Sequence, residues 1–302
     1  MGDYGQAGVE ESLPAGGEDM SKRICVVLFA LALLCASQAQ ARVLTFGVHP
    51  FLSAVELQQR FAPLLEYIHR RIGMPIKLEI SSTYAELTEK CVAEEIDFAF
   101  MGPSLYVEAS RRNPHLQLLG VVQGQTPGLR GAIIVREDSP LQELAQLKHK
   151  RVAFVSPDST MGFQVPAYIL VQQGVCLKDL GAYSFVRNHQ NVAYAVLAGR
   201  FDAGAIKYEV FEEMRNQGLR ILHRIPDVVD HPFIATPRLE KRLADRIEAI
   251  LQNLHNNENG RKILKMLRPD LVKIAPIYDA DFANMRTYTQ HAYACLRSAS
   301  EK

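Results

Sequence analysis

Residues 151–162 read Arg151-Val152-Ala153-Phe154-Val155-Ser156-Pro157-Asp158-Ser159-Thr160-Met161-Gly162. An apolar run, a turn rich in hydroxyls that ends on glycine, and then the helix-like run 163–173 describe a buried strand feeding a helix. Such a junction offers unpaired backbone N–H groups, with Ser and Thr hydroxyls beside them, to an anion. The same hydroxyls also serve as ordinary helix caps, so the turn carries function only if other sites of its kind converge on it.

Upstream, residues 43–48 form a short apolar strand closed by His49-Pro50, and apolar residues at helical spacing from Ser53 predict a helix ending near Gly73. A strand at 76–80, a helix at 84–93 and a strand at 98–101 complete a βαβαβ run. That order implies a parallel sheet covered by helices on both faces. The third strand ends in Gly102-Pro103-Ser104 ahead of a helix at 105–111 that carries Tyr106. This is a second strand-to-helix turn with a glycine, a hydroxyl and an early proline.

Strands at 116–122 and 128–136 and a short helix at 141–147 lead into a second series: strand 152–155, helix 163–173, strand 183–186, helix 191–198, strand 203–207 and strand 220–223. Residues 232–235 read as a return crossing, and 239–255, 260–267 and 282–295 as closing helices. The expected fold is α/β with two lobes, each a mostly parallel sheet flanked by helices. Lobe one would hold residues 42–130 and 232–302 and lobe two 131–231, with hinge crossings near 129–136 and 231–236.

At 302 residues, 48% hydrophobic and 22% charged, the chain can bury a substantial core, and its formal charge of +1 gives no electrostatic footprint for nucleic acid. Ser21-Lys22-Arg23, the apolar run 24–34 and Ala39-Gln40-Ala41 read as a secretory signal peptide cut after Ala41, with Met20 as the true start and the periplasm as destination. Lipidation at Cys35 is the alternative. Cys91, Cys176 and Cys295 then remain, without metal-ligand spacing. They read as free thiols, a Cys91–Cys295 bridge being the other possibility in an oxidising compartment.

Several stretches together resemble the periplasmic phosphonate, phosphite and phosphate binding proteins of ABC transporters. They are residues 97–103 with Tyr106, the Asp158-Ser159-Thr160-Met161-Gly162 turn with Pro166, His189 before a helix, and residues 199–204. The resemblance implies a hinge-bending, monomeric binding protein of type II-like layout that hands a small phosphorus oxyanion to an inner-membrane permease, or serves a membrane sensor. It uses no cofactor or metal. The family's ligand roles fall on Ser159, Thr160 and His189, with Tyr84 and Tyr106 from lobe one. Met161 stands where relatives carry a third hydroxyl, and no acidic group near residues 207–209 or 227–230 matches those that bind a ligand amine in aminophosphonate binders.

From the residues alone, His189 lies ahead of a helix where an imidazole can donate to an anion. Tyr84 opens a helix with its hydroxyl free to bond an oxyanion or its ring free to pack. His49 follows the first strand, at the edge where open α/β sheets present ligands. Gly102 contributes backbone. Asp202 reads as a turn residue. The order Ser159, His189, Asp202 also admits a hydrolase, although the chain lacks a Gly-x-Ser-x-Gly elbow and a Walker loop.

Overall fold

Capping chemistry fixes the first βα unit. β1 (Leu44–Val48) feeds α1 (Ala54–Ile72), which starts where Ser53 Oγ accepts the Glu56 N–H and Glu56 reaches back to the Ser53 N–H. It stops at Gly73, whose φ of 76° is the left-handed conformation that glycine adopts without steric cost. In the computed structural model, residues 42–300 are described, together with Met1, Gly2, Gly5 and Gly8. The expected signal peptide, its cleavage site and the start at Met20 lie outside the described residues.

β2 (Ile76–Ile80), α2 (Tyr84–Val92), β3 (Phe98–Phe100), α3 (Pro103–Arg112) and β4 (Gln117–Gly124) follow. Next come β5 (Leu129–Arg136), β6 (Arg151–Phe154), a π-helical turn (Thr160–Gln164), α4 (Val165–Gln172), β7 (Ala182–Phe185), α5 (His189–Leu197), β8 (Ala203–Lys207), α6 (Tyr208–Met214) and β9 (Leu219–Val228). The chain ends with β10 (Pro232–Ala235), α7 (Lys241–Gln252), α8 (Glu258–Leu267), β11 (Leu271–Ala275) and α9 (Ala283–Ser300).

The strands make two sheets, ordered β11-β4-β10-β3-β1-β2 and β7-β6-β8-β5-β9. Both are mixed. Pairing is parallel where βα units feed the sheet, at β2-β1-β3 and β7-β6-β8. It is antiparallel at β5, β9, β10, β4 and β11, so the expectation of mostly parallel sheets holds for only part of each. The reversed strands are β5 in one sheet and β10 and β11 in the other, and β5 and β10 each enter their sheet straight from a strand of the other one, with no helix between.

The chain passes between sheets at residues 125–128 and 229–231, just outside the strands that the sequence suggested as hinges. Residues 129–136 and 232–235 are central strands hydrogen-bonded on both sides, which holds them rigid. Aromatic clusters sit beneath each sheet. Phe46 packs on Phe61, Phe98 and Phe233 in one, and Phe154 on Phe163 and Phe185 in the other.

α9 departs from its expected place in lobe one alone. Tyr288 and His291 pack on Tyr168 of α4 at 4.9 and 5.2 Å, and Thr289 Oγ1 donates to Gln164 Oε1 at 2.7 Å, so the helix braces the second sheet's cradle. Cys91, Cys176 and Cys295 are free, and the Cys91–Cys295 bridge is not formed.

Candidate functional site

The turn after β6 is wound as a π helix rather than starting α-helical. Ser159 caps it, its Oγ accepting the Gly162 N–H at 3.1 Å, and the Val165 N–H reaches five residues back to the Thr160 carbonyl. Single π turns of this kind recur at functional sites. The opening turn of a helix has N–H groups without intrahelical partners, and with Gly162 satisfied by the cap those of Thr160 and Met161 head the turn.

From the first sheet, the Gly102-Pro103-Ser104 turn meets this cradle directly. The Ser104 N–H donates to Thr160 Oγ1 at 3.2 Å, and Ser104 Oγ donates to the Asp158 carbonyl at 2.7 Å. A Cβ placed on Gly102 would lie 3.5 Å from Thr160 Oγ1 and 3.8 Å from His49 Nε2, so the backbone of this turn runs close to both. Two further contacts cross between the sheets' helices: Arg60 Nη1 to Glu209 Oε1 at 2.6 Å and Gln190 Nε2 to Glu56 Oε1 at 3.2 Å.

His189 opens α5, where Asn188 Oδ1 accepts the Asn191 N–H at 2.8 Å. The buried ring accepts the Lys207 N–H on Nδ1 at 3.1 Å. A neutral imidazole that accepts on one nitrogen carries its hydrogen on the other, so Nε2–H is a donor, and it is buried without a partner among the described residues. Burial, then the neighbouring Lys207 and His231, hold the His189 pKa well below the usual value, which keeps the ring neutral.

His49, past the end of β1, is buried and neutral for the same reasons, with burial the largest and His231 next. Its Nδ1 has no partner among the described residues. Tyr84 packs edge-on against it at 4.7 Å, with a buried, unpartnered hydroxyl that faces Ser159. Burial raises the phenol pKa, so Tyr84 is a neutral donor.

A relay completes the wall. The His231 ring lies 5.1 Å from Phe100 and 5.7 Å from His49, nearly parallel to each. Its Nδ1–H points at Asp230 Oδ1 at 2.9 Å, leaving Nε2 to accept from Lys207 Nζ at 3.0 Å. Burial disfavours the Asp230 carboxylate, but the His231 hydrogen bonds and Arg268, 2.9 Å away, outweigh it and hold the pKa below the ordinary range. Lys207 is buried at the end of β8, its Nζ 4.0 Å above the Phe51 ring, and burial lowers its pKa to about 7.

Around one small cavity, the structure brings together Ser159, Thr160, Met161, His189, Tyr84, Gly102 and His49. Tyr106 does not join them. Its hydroxyl donates to Asp279 Oδ1 at 2.9 Å and its ring packs on Phe282, because α3 turns that face toward the C-terminal segment. Ser104, the hydroxyl of the second turn, also lines the cavity, as do Leu129, Lys207 and His231, which sequence reasoning missed. The available signal for Lys207 was a lone charge closing the apolar strand 203–207.

A nucleophilic triad does not form. Asp202 is engaged by the Arg151 N–H at 2.8 Å and its guanidinium at 2.7 Å, while His189 Nδ1 faces a backbone donor. The Nε2–H of His189 is therefore set to donate rather than to take a proton from Ser159.

The family model for the periplasmic substrate-binding protein of phosphonate ABC transporters matches residues 46–282. The chain is 24% identical over 310 residues to a phosphate-import protein of Mycolicibacterium smegmatis, covering 92% of this chain and 95% of that one. It is 23% identical over 258 residues to a phosphonates-binding periplasmic protein of Escherichia coli, covering 80% and 75% respectively. The fold is similar to a Prochlorococcus marinus protein solved with methylphosphonate, with a TM-score of 0.75 at 21% identity, over 83% of this chain and 98% of that one.

Proposed function

The chain belongs to the family of periplasmic substrate-binding proteins of phosphonate ABC transporters, and from that premise we propose that it carries a small phosphorus oxyanion, a phosphonate, phosphite or phosphate, to a membrane permease. The ligand sits in the cavity between the two sheets. The backbone N–H groups heading the π turn, the Thr160 hydroxyl, Tyr84 OH and His189 Nε2–H hold its oxygens. Residues 20–41 act as the export leader, and the mature chain works in the periplasm as a monomer. The lobes, one built on the β1-containing sheet and one on the β5-containing sheet, close by bending at residues 125–128 and 229–231.

One observation carries this reading: His189 presents a buried hydrogen-bond donor, fixed in its tautomer by the Lys207 N–H, to a cavity in which the structure gives it no acceptor. Leaving such a group unpaired costs about 1–3 kcal/mol, which a ligand oxygen would recover. Thermal melting in phosphate, phosphite, methylphosphonate, sulfate and taurine tests it, because a ligand of the native state alone raises the melting temperature with occupancy. A rise with at least one phosphorus oxyanion is expected. No rise with any of them, or one only with sulfate or taurine, would overturn the assignment.

A further inference from the structure

Behind the cradle, Gly174 follows α4 in the left-handed conformation, at a φ of 70°, and folds the chain back through buried Val175 to Cys176. Cys176 heads a short 3-10 turn, Leu177–Asp179, which fixes its side chain: the Asp179 N–H donates to the sulfur, and the Cys176 N–H donates to Asp179 Oδ2 at 2.9 Å. α9 packs along this segment, its Cα atoms coming within 8 Å of those of the turn. A disulfide spans a Cα separation of about 4.4–6.8 Å, so the two elements lie in range of one. Tyr288 and His291 rest on Tyr168 of α4, and Cys295 follows one turn beyond His291 on the same face, packed against the core. Cys176 and Cys295 are both free and only half-buried, which leaves them open to a reagent. The Cys295 thiol pKa is raised by burial and then by Cys176 beside it. Cys91 stands apart on α2, where burial pushes its thiol up to about 12 and leaves it inert to exchange.

We propose that Cys176 and Cys295 are a disulfide-forming pair, which on oxidation staples α9 to the lobe that carries the cradle. The periplasm, where the family works, is an oxidising compartment in which such a bond persists. The bond is made by exchange with a disulfide-bearing oxidant. One cysteine thiolate attacks a sulfur of the oxidant's disulfide and expels the other sulfur as a thiol; the second cysteine, losing its proton, then displaces the oxidant from the mixed disulfide. Two protons and two electrons pass from the chain to the oxidant, which leaves as two thiols. The staple closes a loop of about 120 residues, and long loops lose the most chain entropy in the unfolded state when they are closed. It also fixes the helix whose Thr289 and Tyr293 bond Gln164 and Asp158 of the cradle. The pair is independent of which anion the cleft takes.

The test is a peptide map of the full chain after incubation with oxidised glutathione, with remaining thiols blocked by N-ethylmaleimide in denaturant and the chain cut by trypsin without reductant. The expected product is peptide 152–178 joined to peptide 287–297 within one chain, with Cys91 carrying the maleimide. Maleimide or glutathione on both Cys176 and Cys295, a bridge that includes Cys91, or a bridge between two chains would overturn the pairing. Thermal melting reads the staple itself. The oxidised wild type should melt roughly 5–10 °C above the reduced wild type, the range that a typical disulfide gives in a chain of this size. Cys295→Ser should melt with the reduced protein, whether reductant is present or not. Equal melting of oxidised and reduced wild type would overturn the staple, a comparison that needs no variant to fold.

Discussion

Ser104 Oγ and Thr160 Oγ1 lie 2.8 Å apart, one on the turn after β3 and the other at the head of the π turn after β6. The two turns come from different sheets, so this buried pair, with the 3.2 Å bond from the Ser104 N–H, joins the halves of the cleft at the point where an anion would bind. In the proposed binding mode, closure and ligand contact share the same atoms.

Thr160→Val keeps the shape and removes the hydroxyl. Two hydrogen bonds at about 1 kcal/mol each, lost mainly from the closed state, predict a Kd for the preferred oxyanion about 30-fold higher. Calorimetry reads the affinity, and solution scattering with and without ligand reads the closure. An unchanged Kd would separate the Ser104–Thr160 contact from binding.

Gly162→Ala addresses the cradle's own geometry. A Cβ there would stand 2.5 Å from Val155 Cβ and 2.6 Å from Ser159 Oγ, and the Ser159 hydroxyl is the cap that receives the Gly162 N–H. Neither β6 nor the turn can yield without losing the cap. Overpacking of about 1–3 kcal/mol should lower the melting temperature by several degrees and abolish detectable binding. A variant with wild-type melting and affinity would show that the turn has slack that the packing does not suggest.

Much of this was legible in the sequence because it is written locally. β2 and β8 fall on the apolar runs that define them, and α1 starts and stops at Ser53 and Gly73 as cap chemistry requires. The cradle too was visible, since strand, hydroxyl turn and helix are contiguous. β11 was missed because Leu271–Ala275 interrupts its apolar pattern with Lys273, and α6 because seven residues directly after a strand leave little periodicity to read. Lys207 and His231 could not be ranked, since a lysine ending a strand and a histidine before a proline look alike whether buried together or exposed. Tyr106 erred the other way: its position beside the second turn was right, but helix rotation sets its hydroxyl on Asp279.

Acid should weaken the ligand-free protein through its buried rings. His49 and His189 have folded pKa values well below 6.5, and that of His231 is lowered to about 4. The unfolded chain binds protons at these sites first, so their contribution is fully present above pH 6.5 and is lost as pH falls toward 4. The loss amounts to about 1.4 kcal/mol per group for each pH unit within that window. Calorimetric melting across pH 7 to 4 should show a fall that is shallower in His231→Gln. Equal slopes in the two proteins would exclude His231 from the acid response.

The brace behind the cradle makes the last prediction. Tyr293 on α9 donates to Asp158 Oδ1 at 2.8 Å, and the Asp158 carbonyl in turn accepts from Ser104 Oγ. Burial raises the Asp158 pKa and the tyrosine hydrogen bond opposes that rise. Tyr293→Phe removes the donor, so the pKa climbs further and the carboxylate becomes costlier to hold folded. Since the native state then keeps its proton longer than the unfolded chain, the penalty grows as pH rises above the ordinary carboxylate range. Tyr293→Phe should therefore lose about 1–3 kcal/mol at pH 7 and visibly less at pH 4.5, as measured by urea unfolding. Ligand affinity should fall severalfold with it, because Asp158 carries the strain straight to Ser104. A loss equal at both pH values would assign the effect to packing of the ring rather than to the hydrogen bond.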